Sequence, residues 1–187
     1  MRKRAVITGL GVVSPNGIGV QNFSNAILEG KSGVRRISLF DPAGLPVSIA
    51  GEVSDFKELD WIGEHERKHV SRAVPMAIAA ATEALADSGW EPGTMSMADK
   101  RETAVILGTG GGAQEFSEAQ YRLWLTGNVK QVSIFTIPSG TMGTMSSEVS
   151  MRFGFRGFSH VVTTGCTSST DAMGYAVEKI RAGSISR

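Results

Sequence analysis

Three times along this chain a run rich in Val and Ile gives way to glycine and then to a stretch of helical periodicity. Arg4 to Val13 reads as a first, central strand closed by Ser14-Pro15. Thr103 to Leu107 reads as a second, opening into Gly108-Thr109-Gly110-Gly111-Gly112, and His160 to Thr164 as a third. The apolar positions between them recur every three or four residues. Val20, Phe23, Ala26 and Ile27 predict a short helix stopped by Gly30. Val74, Ala77, Ile78, Ala81 and Leu85 predict a longer one ending near Gly89, with Pro75 in its first turn, where its missing donor costs little. Phe116, Leu123 and Trp124 predict a helix after the glycine run, and Met173, Ala176, Val177 and Ile180 another at the end. Strands alternating with helices predict an α/β fold: a mixed, mostly parallel sheet with helices on both faces. Gly33 to Ala50, with Pro42, Gly44 and Pro46, reads as an irregular excursion, and Glu64 to Arg72 as a separate charged turn or helix.

The 187 residues suffice for one domain with a sizeable core. Nineteen Lys and Arg against eighteen Asp and Glu leave no overall basic field for nucleic acid or an anionic membrane, so electrostatic docking must be local. The basic opening Met1-Arg2-Lys3-Arg4 is followed by an apolar stretch that Gly9, Gly11 and Pro15 break at once, and no run approaches membrane-spanning length. The expectation is a cytoplasmic protein. A single cysteine with His65, His69 and His160 has no recognisable metal spacing, so no metal is expected. Gly9-Leu10-Gly11 lacks the third glycine of a dinucleotide fingerprint, Ser14 standing there instead, and no P-loop lysine follows Gly108 to Gly112. Nucleotide binding is therefore set aside.

Chemistry concentrates in Val161-Val162-Thr163-Thr164-Gly165-Cys166-Thr167-Ser168-Ser169, where a β-branched strand meets a glycine, a cysteine and small residues that open a helix. This order reads as a nucleophile elbow. A helix N-terminus there sets backbone N–H groups and the positive dipole end beside the sulfur, a setting that favours the nucleophilic thiolate and can polarise an acyl carbonyl. A lone cysteine is otherwise most often a small buried hydrophobe. The elbow context argues against that here.

With Arg4-Ala5-Val6-Ile7-Thr8-Gly9-Leu10-Gly11-Val12-Val13-Ser14-Pro15, Gly30-Lys31-Ser32-Gly33-Val34 and Gly108-Thr109-Gly110, the cysteine segment resembles the N-terminal half of a β-ketoacyl-acyl carrier protein synthase of the elongating type, from the thiolase-fold superfamily. The resemblance covers essentially the whole chain. It implies that residues 1–187 are a truncated N-terminal domain, the C-terminal half being absent. Gly183-Ser184-Ile185-Ser186-Arg187 reads accordingly, as a helix stop followed by the start of another element.

The resemblance also implies a mechanism. An acyl group passes from carrier-protein phosphopantetheine to Cys166, malonyl carrier protein loses carbon dioxide, and the carbanion attacks the thioester. No further cofactor is implied. The family's two catalytic histidines and a second oxyanion donor belong to its C-terminal half. His65, His69 and His160 match none of them, so the fragment alone is expected to be inactive. Gly165, where the family commonly has alanine, together with Thr167, Ser168 and Asp171, is closer to the ketosynthase subunits of bacterial aromatic polyketide systems than to housekeeping fatty-acid enzymes. Such subunits work with a non-catalytic chain-length partner, which lacks the nucleophile; Cys166 argues against that partner role for this chain. A degradative thiolase carries its cysteine much nearer the N-terminus and is disfavoured.

Further positions carry over from the resemblance. Gly111 and Thr136, the latter beside Phe135, fall where family members line the acyl pocket with bulkier or aromatic residues. Read without it, Gly108 to Gly112 is a flexible turn and Phe135 to Pro138 a loop edge. Arg67 and Lys68 fall where the family presents basic residues to acyl carrier protein; the alternative is a solvated charged turn with Glu64 and Glu66. The expected assembly is a homodimer that pairs through the strand before Cys166, or a heterodimer with a chain-length subunit.

Overall fold

The computed structural model describes residues 4–187, so the basic opening at 1–3 lies outside the described residues. A tight antiparallel pair, β1 (Val13–Ser14) and β2 (Gly17–Ile18), leads into α1 (Val20–Leu28), which stops before Gly30 at φ 65°. The stretch expected to be irregular is held at its ends by a second antiparallel pair, β3 (Val34–Arg36) and β4 (Ile49–Gly51). Next come α2 (Glu64–Arg67), α3 (Ala73–Asp87), α4 (Met97–Glu102) and β5 (Val105–Gly108). α5 (Gln114–Leu125), α6 (Thr136–Gly140), α7 (Gly143–Phe153), β6 (Ser159–Val162) and α8 (Ser168–Arg181) complete the chain.

β5 and β6 are parallel, with Val105 opposite Ser159 and Gly108 opposite Val162. Their side chains alternate between two helical layers. On one face Val105 joins Val74 and Ile78 of α3 and Met145 and Val149 of α7 in the core. Each helix offers a pair one turn apart, which places both side chains on the same stripe. On β6, Ser159 Oγ donates to Ser146 Oγ of α7 at 3.0 Å, while the next residue, His160, stacks on Tyr175 of α8 at 5.8 Å. Helices therefore cover both faces, as the alternation of strands and helices predicts.

The expected first strand is corrected. Residues 4–12 join no ladder, and only Val13–Ser14 at its end is paired. The segment is held by α3: Leu10 N donates to Asp87 Oδ2 and Val12 N to Glu83 Oε2, both at 2.9 Å, and Val20 N donates to Glu83 Oε1 at 2.7 Å. β-Branched residues make a strand only where a neighbour takes their backbone groups. Here Val6 and Ile7 stay 74% and 77% exposed. An apolar groove of ≈ 570 Å³, with Val6, Thr8, Val105 and Ile106 among its walls, separates the segment from the edge of β5 that faces away from β6. Gly9 and Gly11 acquire a reason that owes nothing to nucleotides. A Cβ on either would meet the α3 backbone, 2.9 Å from Ser88 N or 2.8 Å from the Ala80 carbonyl carbon.

Of the stripe expected on α8, Ala176, Val177 and Ile180 are half-buried, but Met173 is 58% exposed, and the fully buried positions are Ser168 and Ala172, four apart. Small residues face inward because the first turn of α8 lies directly on β5.

Candidate active site

Parallel strands carry their C-terminal turns to the same edge of a sheet, the place where α/β folds bind ligands. Here the glycine turn after β5 and the cysteine turn after β6 lie side by side. Thr109 N donates to Val162 O at 3.1 Å, and a Cβ on Gly110 would sit 3.7 Å from Gly165 O.

The cysteine turn is a short 3₁₀ segment, Gly165–Thr167, running straight into α8. Gly165 has φ 67°, and a Cβ placed on it would have open space for 4 Å around, so backbone conformation, not crowding, selects glycine there. Gly108 is the opposite case. Its backbone is unstrained, but a Cβ would enter the Ser168 backbone and come within 2.5 Å of Ser169 N.

Cys166 is exposed at the tip of the turn. Behind it Ser168 is buried: its hydroxyl accepts from Thr164 N at 2.9 Å and lies 2.6 Å from Gly165 O and 3.2 Å from Thr109 O. A hydroxyl has one proton to give, and the nearer Gly165 carbonyl takes it. On the exposed side Asp171 Oδ2 accepts from the hydroxyls of Thr164 and Thr167, the latter at 3.0 Å. The Thr164 hydroxyl, then that of Thr167, hold the Asp171 carboxyl below its ordinary range against a smaller opposing effect of desolvation. A thiol so placed can attack an incoming acyl carbonyl, with the N–H groups of the first helical turn near the oxygen that gains charge.

The other sequence-derived residues are dispersed. Gly111 lines a groove of ≈ 360 Å³ with Gln114, Ser117 and Tyr121 of α5 and with Gly140 and Met142. Phe135 and Thr136 stand at the far end of α6 from Gly140 and do not line it. Phe135 packs on His69, ring centroids 4.4 Å apart, and the Thr136 hydroxyl donates to Ser133 O at 2.5 Å. Arg67 forms an ion pair with Glu58, which Arg72 also contacts at 2.9 Å; among the described residues Lys68 has no such pair. His69 stacks edge-on with His65 at 4.8 Å, and His160 Nδ1 lies 3.3 Å from the Tyr175 hydroxyl, so all three histidines pack against neighbours away from the cysteine turn. No group of metal-ligating side chains occurs among the described residues, and no helix there is long and apolar enough to cross a membrane. Ser168 and Thr109 are anchors that sequence reasoning misses. Their signal is only a small polar residue flanking a turn, a common pattern.

Residues 2–186 match the family model described as beta-ketoacyl synthase, N-terminal domain. A 3-oxoacyl-[acyl-carrier-protein] synthase 2 from Rhizobium meliloti (strain 1021) is 36% identical over 189 residues, covering 97% of this chain and 44% of that protein. The tetracenomycin polyketide synthase ketoacyl synthase beta subunit of Streptomyces glaucescens is 35% identical over 181 residues, covering 96% and 43% respectively. Among solved structures, the ishigamide ketosynthase/chain length factor superimposes with a TM-score of 0.84 at 28% identity, over 99% of this chain and 46% of that one. The chain spans under half the length of these relatives.

Proposed function

The chain belongs to the β-ketoacyl synthase family, as its N-terminal domain, and on that footing we propose that the protein carrying it is a condensing acyltransferase with Cys166 as its nucleophile. The observation that carries this reading is the exposed thiol at the strand-to-helix turn, beside the glycine turn of the neighbouring parallel strand. In the first half-reaction the sulfur attacks the thioester carbonyl of an acyl carrier protein; the phosphopantetheine sulfur leaves and takes a proton. In the second, malonyl carrier protein releases carbon dioxide, the carbanion forms a carbon–carbon bond to the acyl carbonyl, and the Cys166 thiolate departs. The histidines that assist decarboxylation would come from a C-terminal half. The second edge of β5, which pairs with no strand among the described residues, and the apolar groove beside it support such a completion of the sheet. We further take the assembly to be a dimer, homotypic or with a chain-length subunit, formed along β6. Incubating the intact protein with a panel of acyl carrier proteins tests the reading: the peptide containing Cys166 should gain the acyl mass. An unmodified peptide across the panel refutes it.

The carrier contact is assigned to Lys68 more than to Arg67, whose charge Glu58 already meets. Lys68→Glu should raise KM for a carrier-bound substrate by up to about thirty-fold, the effect of turning one exposed attraction of about 1 kcal/mol into a repulsion of the same size, about 2 kcal/mol in all. KM for a small thioester should not move. Equal effects on both substrates count against the patch.

The groove at Gly111 is proposed as the acyl channel. In Gly111→Ile the branched side chain would press on Gln114, already 3.1 Å from a Cβ, and fill the groove. Shorter products are expected by mass spectrometry; an unchanged profile removes Gly111 from the channel.

A further inference from the structure

We propose that Asp171 is a positioning residue for Cys166, its carboxylate gripping the turn on both sides of the sulfur through the hydroxyls of Thr164 and Thr167. This rests on Cys166 being the nucleophile. The three oxygens form one cluster: both hydroxyls meet the same Asp171 oxygen, and they lie 3.2 Å from each other. Thr164 stands two residues before the cysteine and Thr167 one after it, while Asp171 is anchored in the first turns of α8. The turn is thus held twice, from behind by buried Ser168 and from the open side by Asp171. Without the carboxylate, Thr167 retains the Thr164 carbonyl at 3.1 Å, whereas the Thr164 hydroxyl loses its charged acceptor and keeps only the Thr167 hydroxyl oxygen at 3.2 Å. The side of the turn that meets the substrate is then the side left loose. An acidic residue early in a helix also favours the helix dipole, so the two roles must be separated.

The separation uses the intact protein as wild type, Asp171→Ala, Asp171→Asn, and the double variant Thr164→Val with Thr167→Val. Asparagine keeps an acceptor oxygen but no charge. For acyl transfer onto Cys166, kcat should fall about ten-fold in Asp171→Ala and in the threonine double variant, the loss of one hydrogen bond to a charged group. KM should stay within about two-fold, and Asp171→Asn should recover kcat to within about three-fold of wild type. Iodoacetamide alkylation of Cys166 should follow the same order. Melting temperatures that fall while kcat holds would reduce Asp171 to a helix-dipole role and overturn the proposal. So would an Asp171→Asn enzyme as slow as Asp171→Ala, or one alkylated faster than wild type, which would mark a charge effect. If wild-type Cys166 takes no acyl group, the proposed function fails; the clamp then stands or falls on alkylation alone, equal rates across the four proteins overturning it.

Discussion

Cys166→Ala is expected to take no acyl group from any carrier protein while melting at the temperature of the wild type. The two halves of this expectation have separate grounds. The side chain is exposed, so deleting its sulfur opens no cavity, and surface changes of this kind stay within about 0.5 kcal/mol. Within these 187 residues the chemistry has no substitute, because Cys166 is their only cysteine. Loss of the adduct can therefore be assigned to the missing nucleophile and not to unfolding. Intact-mass measurement after incubation with acyl carrier protein, paired with a thermal melt, checks both. An adduct that persists in the alanine variant places the acyl group elsewhere and ends the assignment.

Gly108→Ala is expected to cost both stability and activity although it adds one methyl group. Alanine in place of glycine within a strand ordinarily gains about 0.5–1 kcal/mol by restricting the unfolded chain. At Gly108 the new carbon would enter the backbone of Ser168 and come within 2.5 Å of Ser169 N. No rotamer change relieves a clash with backbone, so β5 and α8 must separate. About 3 kcal/mol, the upper end of overpacking costs, is expected. For a domain of this size that is a fall in melting temperature of about 6–12 °C. The first turn of α8 carries the Ser168 hydroxyl that pins Thr164 and Gly165, so the cysteine turn moves with it. Below the melting temperature, acylation of Cys166 should still be slowed about ten-fold or more, since small displacements of a reacting group are costly. A variant that melts like wild type would show that the close approach of β5 and α8 is not a constraint. One that is destabilised yet acylates normally would show that Ser168 does not hold the turn.

The helices with strong local signals are legible in the sequence. α1 and α3 end where Gly30 and Gly89 stop them, at φ 65° and 73°, and α3 buries Val74 and Ile78 as their spacing requires. α7 is legible only faintly. Met145, Val149 and Phe153 stand four apart, with Gly154 in the left-handed region behind them, but serines and a glycine dilute the pattern. On α8, hydrophobicity as the guide to burial fails at Met173, which is exposed, while Ser168 and Ala172 are buried. The close approach of Gly108 to Ser168 accounts for a small residue in the first turn.

The stretch from Arg4 to Val13 departs furthest from expectation, for a different reason. Its composition suits a strand, yet pairing depends on a neighbour that local composition cannot supply. In the fold its amides are taken by Glu83 and Asp87 of α3, more than seventy residues away. At the candidate site, the sequence by itself determined the cysteine and the turn that carries it, because a β-branched run, a glycine able to adopt φ 67° and a following helix are all local properties. Only the tertiary structure decided what surrounds that turn. The parallel register of β5 and β6 brings Thr109 to Ser168 across 59 positions, and among the described residues Glu58 forms an ion pair with Arg67 and not with Lys68. Such neighbours are set by packing between distant segments, and no local pattern of residue types encodes them.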